Sequence, residues 1–199
     1  MASQRRVLAS ANQGKLREMQ SILQPLDWDI VTQAELNIES VPETGLTFVE
    51  NALIKARHAA EQSGLPALSD DSGLAVDALK GQPGIFSARY AGEQANDSDN
   101  ITKLLQALQG YDHADRGAQF HCVIVYMRTA DDPTPLICHA SWQGRILTAA
   151  QGVNGFGYDP IFYVPEFNCS AAELDAKDKN RLSHRGQALR QLVKALIPQ

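Results

Sequence analysis

The segment that most constrains the fold comes at the start of the chain. Arg6-Val7-Leu8-Ala9 has the character of a short buried strand, and it runs into the polar loop Ser10-Ala11-Asn12-Gln13-Gly14. From Lys15 to Leu23 the apolar residues Leu16, Met19, Ile22 and Leu23 recur at helical spacing. Strand, polar loop and amphipathic helix in that order predict an α/β fold. The loop also has a chemistry of its own. Unpaired N–H groups and the positive end of the helix dipole favour phosphate there, with Ser10 and Asn12 as donors and Lys15 as a full charge. The pattern is not a Walker A loop, and an ordinary N-cap followed by a solvated lysine uses the same residues.

Local signals place the other elements. Trp28 to Val31 reads as a second short strand, and Thr47-Phe48-Val49-Glu50 is a capping box that opens a helix running to about Gln62, with Gly64 as its stop. Leu65 to Leu68 gives a brief strand that ends in Ser69-Asp70-Asp71-Ser72-Gly73. Residues 80–97 read as a long irregular loop, and Ile101 to Leu108 as a helix. Gln119 to Arg128 and Leu136 to Ile146, separated by Asp131-Asp132-Pro133-Thr134-Pro135, predict a long antiparallel hairpin. A second capping box at Ser170-Ala171-Ala172-Glu173 opens a short helix, and the last helix runs from about His184 to Leu196. The sum is a mixed β-sheet flanked by helices, in one domain over 1–199.

Composition narrows the partners. A formal charge of -5 argues against binding a nucleic-acid backbone, which calls for a basic stripe. Cys122, Cys138 and Cys169 are odd in number and lack metal-ligand spacing, and Cys122 and Cys138, each in a β-like run, read as buried free thiols. No window approaches 18 apolar residues and Met1 to Arg6 is too short and polar to open a signal peptide, so the expectation is a cytoplasmic chain that engages no membrane.

Four further patches carry chemistry. Asp70 and Asp71 are adjacent carboxylates, costly to crowd unless a cation lies beside them; Mg²⁺ sites use one or two carboxylates plus substrate phosphates. Successive strand residues face opposite sides, so only one of the pair points into a given site unless a turn redirects them. Glu43 is the nearest other acid ahead of the second helix. Lys55, one turn after Asn51, is placed to meet phosphates, although its spacing by itself favours a solvated lysine. In Gly155-Phe156-Gly157-Tyr158-Asp159-Pro160 two glycines flank a ring that offers a face to a planar heterocycle. Lys177, Lys179, Arg181, His184 and Arg185 gather cationic groups near the C-terminus, with Ser183 as a helix cap.

Taken in order, these motifs resemble the inosine triphosphate pyrophosphatase (Ham1-like) family. The resemblance is carried by Ser10-x-Asn12-x-x-Lys15, Glu43-Thr44-Gly45-Leu46-Thr47-Phe48, Ser69-Asp70-Asp71-Ser72-Gly73, Pro83-Gly84-Ile85-Phe86-Ser87-Ala88-Arg89-Tyr90, Gly155 to Pro160 and Ser183-His184-Arg185. Ser10 stands where many members carry Thr. The resemblance implies Mg²⁺-dependent hydrolysis of ITP, dITP and XTP to the monophosphate and pyrophosphate. It also implies an elongated fold of two lobes with the active-site cleft between them, and a homodimer. By the family pattern Ser10, Ala11, Asn12, Gln13, Gly14 and Lys15 hold phosphates, Glu43 and Asp71 bind metal, Asp71 is the general base, and Ser72 contacts substrate. Phe156, Gly157, Tyr158, Asp159, Lys179, His184 and Arg185 line the nucleotide site.

A carboxylate that ligates Mg²⁺ is a poorer base, so Asp71 is expected to act mainly as ligand and water-positioner, with Asp70 either sharing proton transfer or holding the turn. A donor from Arg185 or a backbone N–H opposite O6 would accept hypoxanthine and reject adenine, and His184 is the first candidate for excluding the guanine 2-amino group. Two rivals are a Maf-like nucleotide pyrophosphatase, against which Gly155–Pro160 and Ser183-His184-Arg185 argue, and a non-catalytic nucleotide sensor, against which the intact acids argue. A Nudix pattern is absent from the sequence.

Overall fold

Residues 4–10 and 12–197 are described in a computed structural model, with the side chains of Gln4 and Gln13 left outside the description. Along the chain run β1 (Gln4–Ala9), α1 (Gln13–Leu23), β2 (Trp28–Thr32), α2 (Phe48–Ser63), β3 (Ala67–Val76) and α3 (Asp97–Ala107). They are followed by β4 (Gly117–Met127), β5 (Leu136–Ile146), β6 (Phe162–Val164), β7 (Cys169–Ser170), α4 (Ala176–Leu182) and α5 (His184–Leu196). The seven strands form one sheet in the order β2-β1-β3-β4-β5-β6-β7. β1 pairs parallel with β2 and β3, whereas β6 pairs antiparallel with β5 and β7, so the sheet is mixed as the βα start and the later hairpin pattern require.

The chain divides into two compact units. The first comprises residues 1–71, 122–140 and 185–199, and the second residues 72–121 and 141–184. In the first unit, Met19 and Leu23 of α1 and Ala188, Leu189 and Leu192 of α5 pack with Leu8, Leu68, Cys122 and Ile124 from the strands. The buried stripe of α2 is made of alanines, Ala52, Ala56, Ala59 and Ala60. Small side chains let its backbone approach Val123, Val125 and Met127 of β4 closely. The second unit has an aromatic core, with Phe120, Trp142, Tyr158 and Phe162 around Leu74, Leu104 and Ile161. Cys122 and Cys138 are buried free thiols as expected, and Cys169 is also free. No helix among the described residues is long and apolar enough to cross a membrane.

The caps behave as their residues dictate. Thr47 accepts the Glu50 N–H, and Gly64 closes α2 in the left-handed region at φ 66°. Four elements, α3, β7, α4 and β3, differ most from the sequence expectation. α3 begins at Asp97, earlier than Ile101, because Asn96 and Asp99 form a reciprocal capping box. β7 was not anticipated, and the short helix expected from the Ser170 capping box is one 3-10 turn at Ala171–Glu173, with α4 starting separately from its cap Asp175 and carrying no sustained apolar stripe. The largest difference is β3, which does not end at the paired acids but runs through them to Val76. A strand keeps two successive carboxylates buried only if each finds its own cations, one on either face.

Candidate active site

Asp70 and Asp71 do find separate partners. Asp70 is 1% exposed. Its Oδ1 accepts from the Lys15 ammonium, and its Oδ2 accepts from Cys122 Sγ at 3.0 Å and Arg185 Nε at 3.1 Å. Burial alone would raise the Asp70 carboxyl, but the charges of Arg185 and Lys15, with bonds from Lys15 and Cys122, hold it well below the usual carboxylate range. Arg185 Nη1 continues the chain of charges to Glu18 Oε2 at 2.6 Å. Burial disfavours the Arg185 charge, and Asp70 with Glu18 more than offsets that. The thiol of Cys122 is pushed up by burial and by the Asp70 charge, so it stays protonated and donates.

Asp71 faces the other way. Its Oδ1 accepts from Lys55 Nζ at 2.6 Å, and the same ammonium reaches Glu43 Oε1 at 2.8 Å. Burial pushes the Asp71 carboxyl up to about 6, Lys55 opposes that, and the neighbouring Glu43 charge adds to it. For Lys55 burial works against the charge, and the two carboxylates outweigh it. Glu43 is held by its loop. The Gly45 N–H donates to Asn51 Oδ1 at 2.8 Å, and a Cβ on Gly45 would lie 2.5 Å from Glu50 Cβ.

Lys15 reaches this network because of how α1 starts. Asn12 is the N-cap and accepts the Lys15 N–H at 3.0 Å, while Ser10 Oγ accepts the Asn12 N–H at 3.2 Å. Gln13 and Gly14 open the helix. Ala11, the remaining member of the predicted phosphate loop, lies outside the described residues.

The second unit holds the residues predicted to meet the base. Gly155 and Gly157 lie at φ 78° and 60°, the left-handed region that favours glycine. A Cβ on Gly155 would fall 2.1 Å from Asp159 Oδ2. That oxygen accepts the Phe156 N–H at 2.9 Å and Lys179 Nζ at 2.7 Å. Lys179 Nζ also lies 4.8 Å from the centre of the Phe156 ring, within cation–π range. The half-buried ring is therefore held at its backbone by Asp159 and flanked by a cation that Asp159 fixes. His184 stacks on Phe120 at 4.7 Å between ring centres and 7° between planes. Ser72 follows Asp71 on β3 and begins the second unit.

Two predicted nucleotide-site residues have prior commitments. The Tyr158 ring lies in the core with its hydroxyl on the Ser87 carbonyl at 2.9 Å, and burial pushes its phenol up. Arg185 belongs to the Asp70 network of the first unit. Sequence reasoning missed four contributors: Glu18, Cys122, Phe120 and Asp97, whose Oδ2 accepts the Gly157 N–H at 2.7 Å. Glu18 had a signal, since it shares a face of α1 with Lys15 three positions earlier. Asp97 had a weaker one, as a first-turn acid of α3. Cys122 and Phe120 had none, because their partners are distant in sequence.

The first unit holds ammonium groups beside a carboxylate that burial raises, and the second holds an aromatic face beside a fixed cation. Comparison with known proteins gives that chemistry a context. The Ham1 family model matches residues 6–195. The dITP/XTP pyrophosphatase of Vibrio parahaemolyticus is 59% identical over 193 residues, 97% of this chain and 96% of the relative. The dITP/XTP pyrophosphatase of Vibrio cholerae is 60% identical over the same shares. Among solved structures, a HAM1 protein from Coxiella burnetii matches with TM-score 0.90 and 56% identity, covering 97% of this chain and 98% of the other.

Proposed function

The chain belongs to the Ham1 family, and we propose that it hydrolyses deaminated purine nucleoside triphosphates (ITP, dITP and XTP) to the monophosphate and pyrophosphate. The observation that carries this reading is the division of labour between the neighbouring acids, with buried Asp70 bonded to Lys15, Cys122 and Arg185, and Asp71 sharing the Lys55 ammonium with Glu43 while burial raises its carboxyl. A base for water attack at the α-phosphorus needs that raised proton affinity. In this reading Asp71 takes a proton from the attacking water as well as helping to hold a divalent cation. That is the general-base role implied by the family resemblance, rather than the mainly ligand and water-positioning role expected from its chemistry. Asp70 keeps its charge and holds Lys15 and Arg185 in place, a role distinct from the two expected from sequence, sharing proton transfer or holding a turn.

The residues fit a divalent cation. Glu43 and Asp71 are hard oxygen donors converging on one point, and the Lys55 ammonium already occupies it as a cation. Among the described residues no group of three or more His, Cys, Asp or Glu is placed to hold a metal. Two carboxylates completed by substrate phosphates is the pattern Mg²⁺ prefers. When bound, Mg²⁺ supplies charge neutralisation on the triphosphate. Lys15, Lys55 and the N-terminus of α1 supply the rest from the protein.

The purine rests on Phe156, with Lys179 as the cation beside it. An ammonium there donates to the O6 of hypoxanthine or xanthine and confronts the amino donor of adenine. Lys179 Nζ is held beside the Phe156 ring, whereas Arg185 is bonded to Asp70 and Glu18, so this reading gives Lys179 the donor role that the sequence had offered to Arg185 or a backbone N–H. His184 stays the candidate for reading C2. Residues 1–199 act as one catalytic domain on the cytoplasmic nucleotide pool. The same reading carries a homodimer, in which the exposed Phe86 and its neighbour Ile85 form an apolar contact. Sedimentation equilibrium should return twice the chain mass, and a monomer at micromolar concentration would remove the dimer from the reading.

The deciding assay is pyrophosphate release from ITP, XTP, GTP and ATP, each with Mg²⁺ and with chelator. Release from ITP and XTP with Mg²⁺ alone is expected. Equal rates on ATP would contradict the Lys179 argument, and no release from any nucleotide would favour a sensor.

A further inference from the structure

Lys55 lies between the two carboxylates proposed to bind metal. Its side chain is 15% exposed, against 25% for Glu43 and 9% for Asp71, so the trio is largely withdrawn from water. Two carboxylates so placed repel each other, and the Lys55 ammonium that bonds both leaves the trio itself with a residual negative charge, which the Lys15 charge offsets from a greater distance. A divalent ion would balance both acids. The anchoring of the three groups is unequal. Glu43 is fixed by its loop, through the Gly45 N–H on buried Asn51 and the close packing that excludes a side chain at Gly45. Asp71 is fixed by strand β3. Lys55 alone approaches on a flexible four-carbon stem, from a helix position one turn beyond Asn51.

We propose that Lys55 is the resident counter-cation of the Glu43–Asp71 pair, that a divalent ion displaces its ammonium, and that the released ammonium moves to the phosphate chain of the substrate. The inference deepens the hydrolase reading and rests on it. It makes metal and triphosphate mutually reinforcing ligands, because each favours the same displacement of Lys55. Such coupling is reciprocal by thermodynamic linkage. Lysine also prevents the two acids from confronting each other when no divalent ion is bound, a role that a neutral residue cannot fill.

The test uses the full chain without nucleotide, titrated with Mn²⁺ and followed by the EPR signal of the free ion. Lys55→Met should bind Mn²⁺ about tenfold or more tightly than wild type, since no ammonium has to leave. In chelator it should melt below wild type and recover with Mg²⁺. Lys55→Arg keeps the charge and should stay within about threefold of wild type in Mn²⁺ affinity. Unchanged or weaker Mn²⁺ binding by Lys55→Met overturns the proposal. If that variant does not fold, lysine-labelled wild type gives the answer by NMR. The Lys55 side-chain signal, identified by its loss in Lys55→Arg, must move when Mg²⁺ is added, and a stationary signal overturns the proposal. Pyrophosphate release from ITP is measured on wild type in parallel. Turnover with no Lys55 displacement sinks this inference alone, and absence of turnover sinks the hydrolase reading.

Discussion

Asp70→Asn is expected to lose about 3–5 kcal/mol of folding stability, the usual cost of removing one partner from a buried ionic network. The size follows from the geometry. Oδ1 serves Lys15 while Oδ2 serves both Cys122 and Arg185. An asparagine has one acceptor oxygen, so its amide hydrogens must face either the ammonium or the guanidinium and thiol. Either orientation leaves a cation in a protein interior without its anion, and both cations compete for what remains. The loss has a characteristic pH dependence. The folded-state carboxyl titrates well below its unfolded value of about 3.9, so its contribution is complete above that pH and fades as the pH falls toward the folded value. Urea unfolding at a series of pH values should therefore show a wild-type advantage that is constant from about pH 5 to 8 and shrinks below about pH 4. A difference under about 1 kcal/mol at pH 7 would show that the network is not what holds these elements.

Asp71→Asn should do the reverse: cost activity and spare the fold. Loss of a positioned proton acceptor lowers kcat by about 10²–10⁴-fold. Its stability sign is opposite to that of Asp70. The folded carboxyl is raised to about 6, mainly by burial, so it favours folding below its unfolded pKa and loses that advantage as the pH rises through about 6. At pH 7 the ionised carboxylate is a burden that asparagine does not carry, and the variant should unfold at no lower urea concentration than wild type. Wild-type kcat/KM on ITP, measured at low Mg²⁺ to report the metal-poor enzyme, should rise through about pH 6, and the variant should lack that limb. A variant that keeps most of its kcat, or keeps the acid limb, would remove Asp71 as the proton acceptor. Together the two variants separate adjacent residues of one strand into an anchor and a reactive group.

How far these roles were visible beforehand depended on distance along the chain. Thr47 with Glu50, Gly64 after α2, and Ser170 with Glu173 are caps whose bonds close within a few residues, and they form as read. The strand–loop–helix opening and the β-rich runs around Pro133 and Pro135 led to a mixed sheet in the same way, because hydrophobic periodicity is a local property. The paired acids marked a place where charge had to be balanced, and strand alternation would part them provided no turn redirected them. Sequence misjudged the end of β3, since whether a strand survives two carboxylates depends on which cations meet them.

Those cations come from elsewhere. Lys15 and Arg185 lie 55 and 115 positions from Asp70, and Cys122 lies 52 away. The same holds for Asp97 beneath Gly157 and for Phe120 against His184. The sequence by itself determined most elements and their caps, through short-range sterics, hydrogen bonding and periodicity, and it carried the motifs on which the family resemblance and the set of reactive residue types rest. Only the tertiary structure decided which carboxylate is locked and which can take a proton. That choice is set by burial and by charges that the fold brings within a few ångströms, and at that range Coulomb energies in a low-dielectric interior outweigh anything a residue's neighbours in sequence impose.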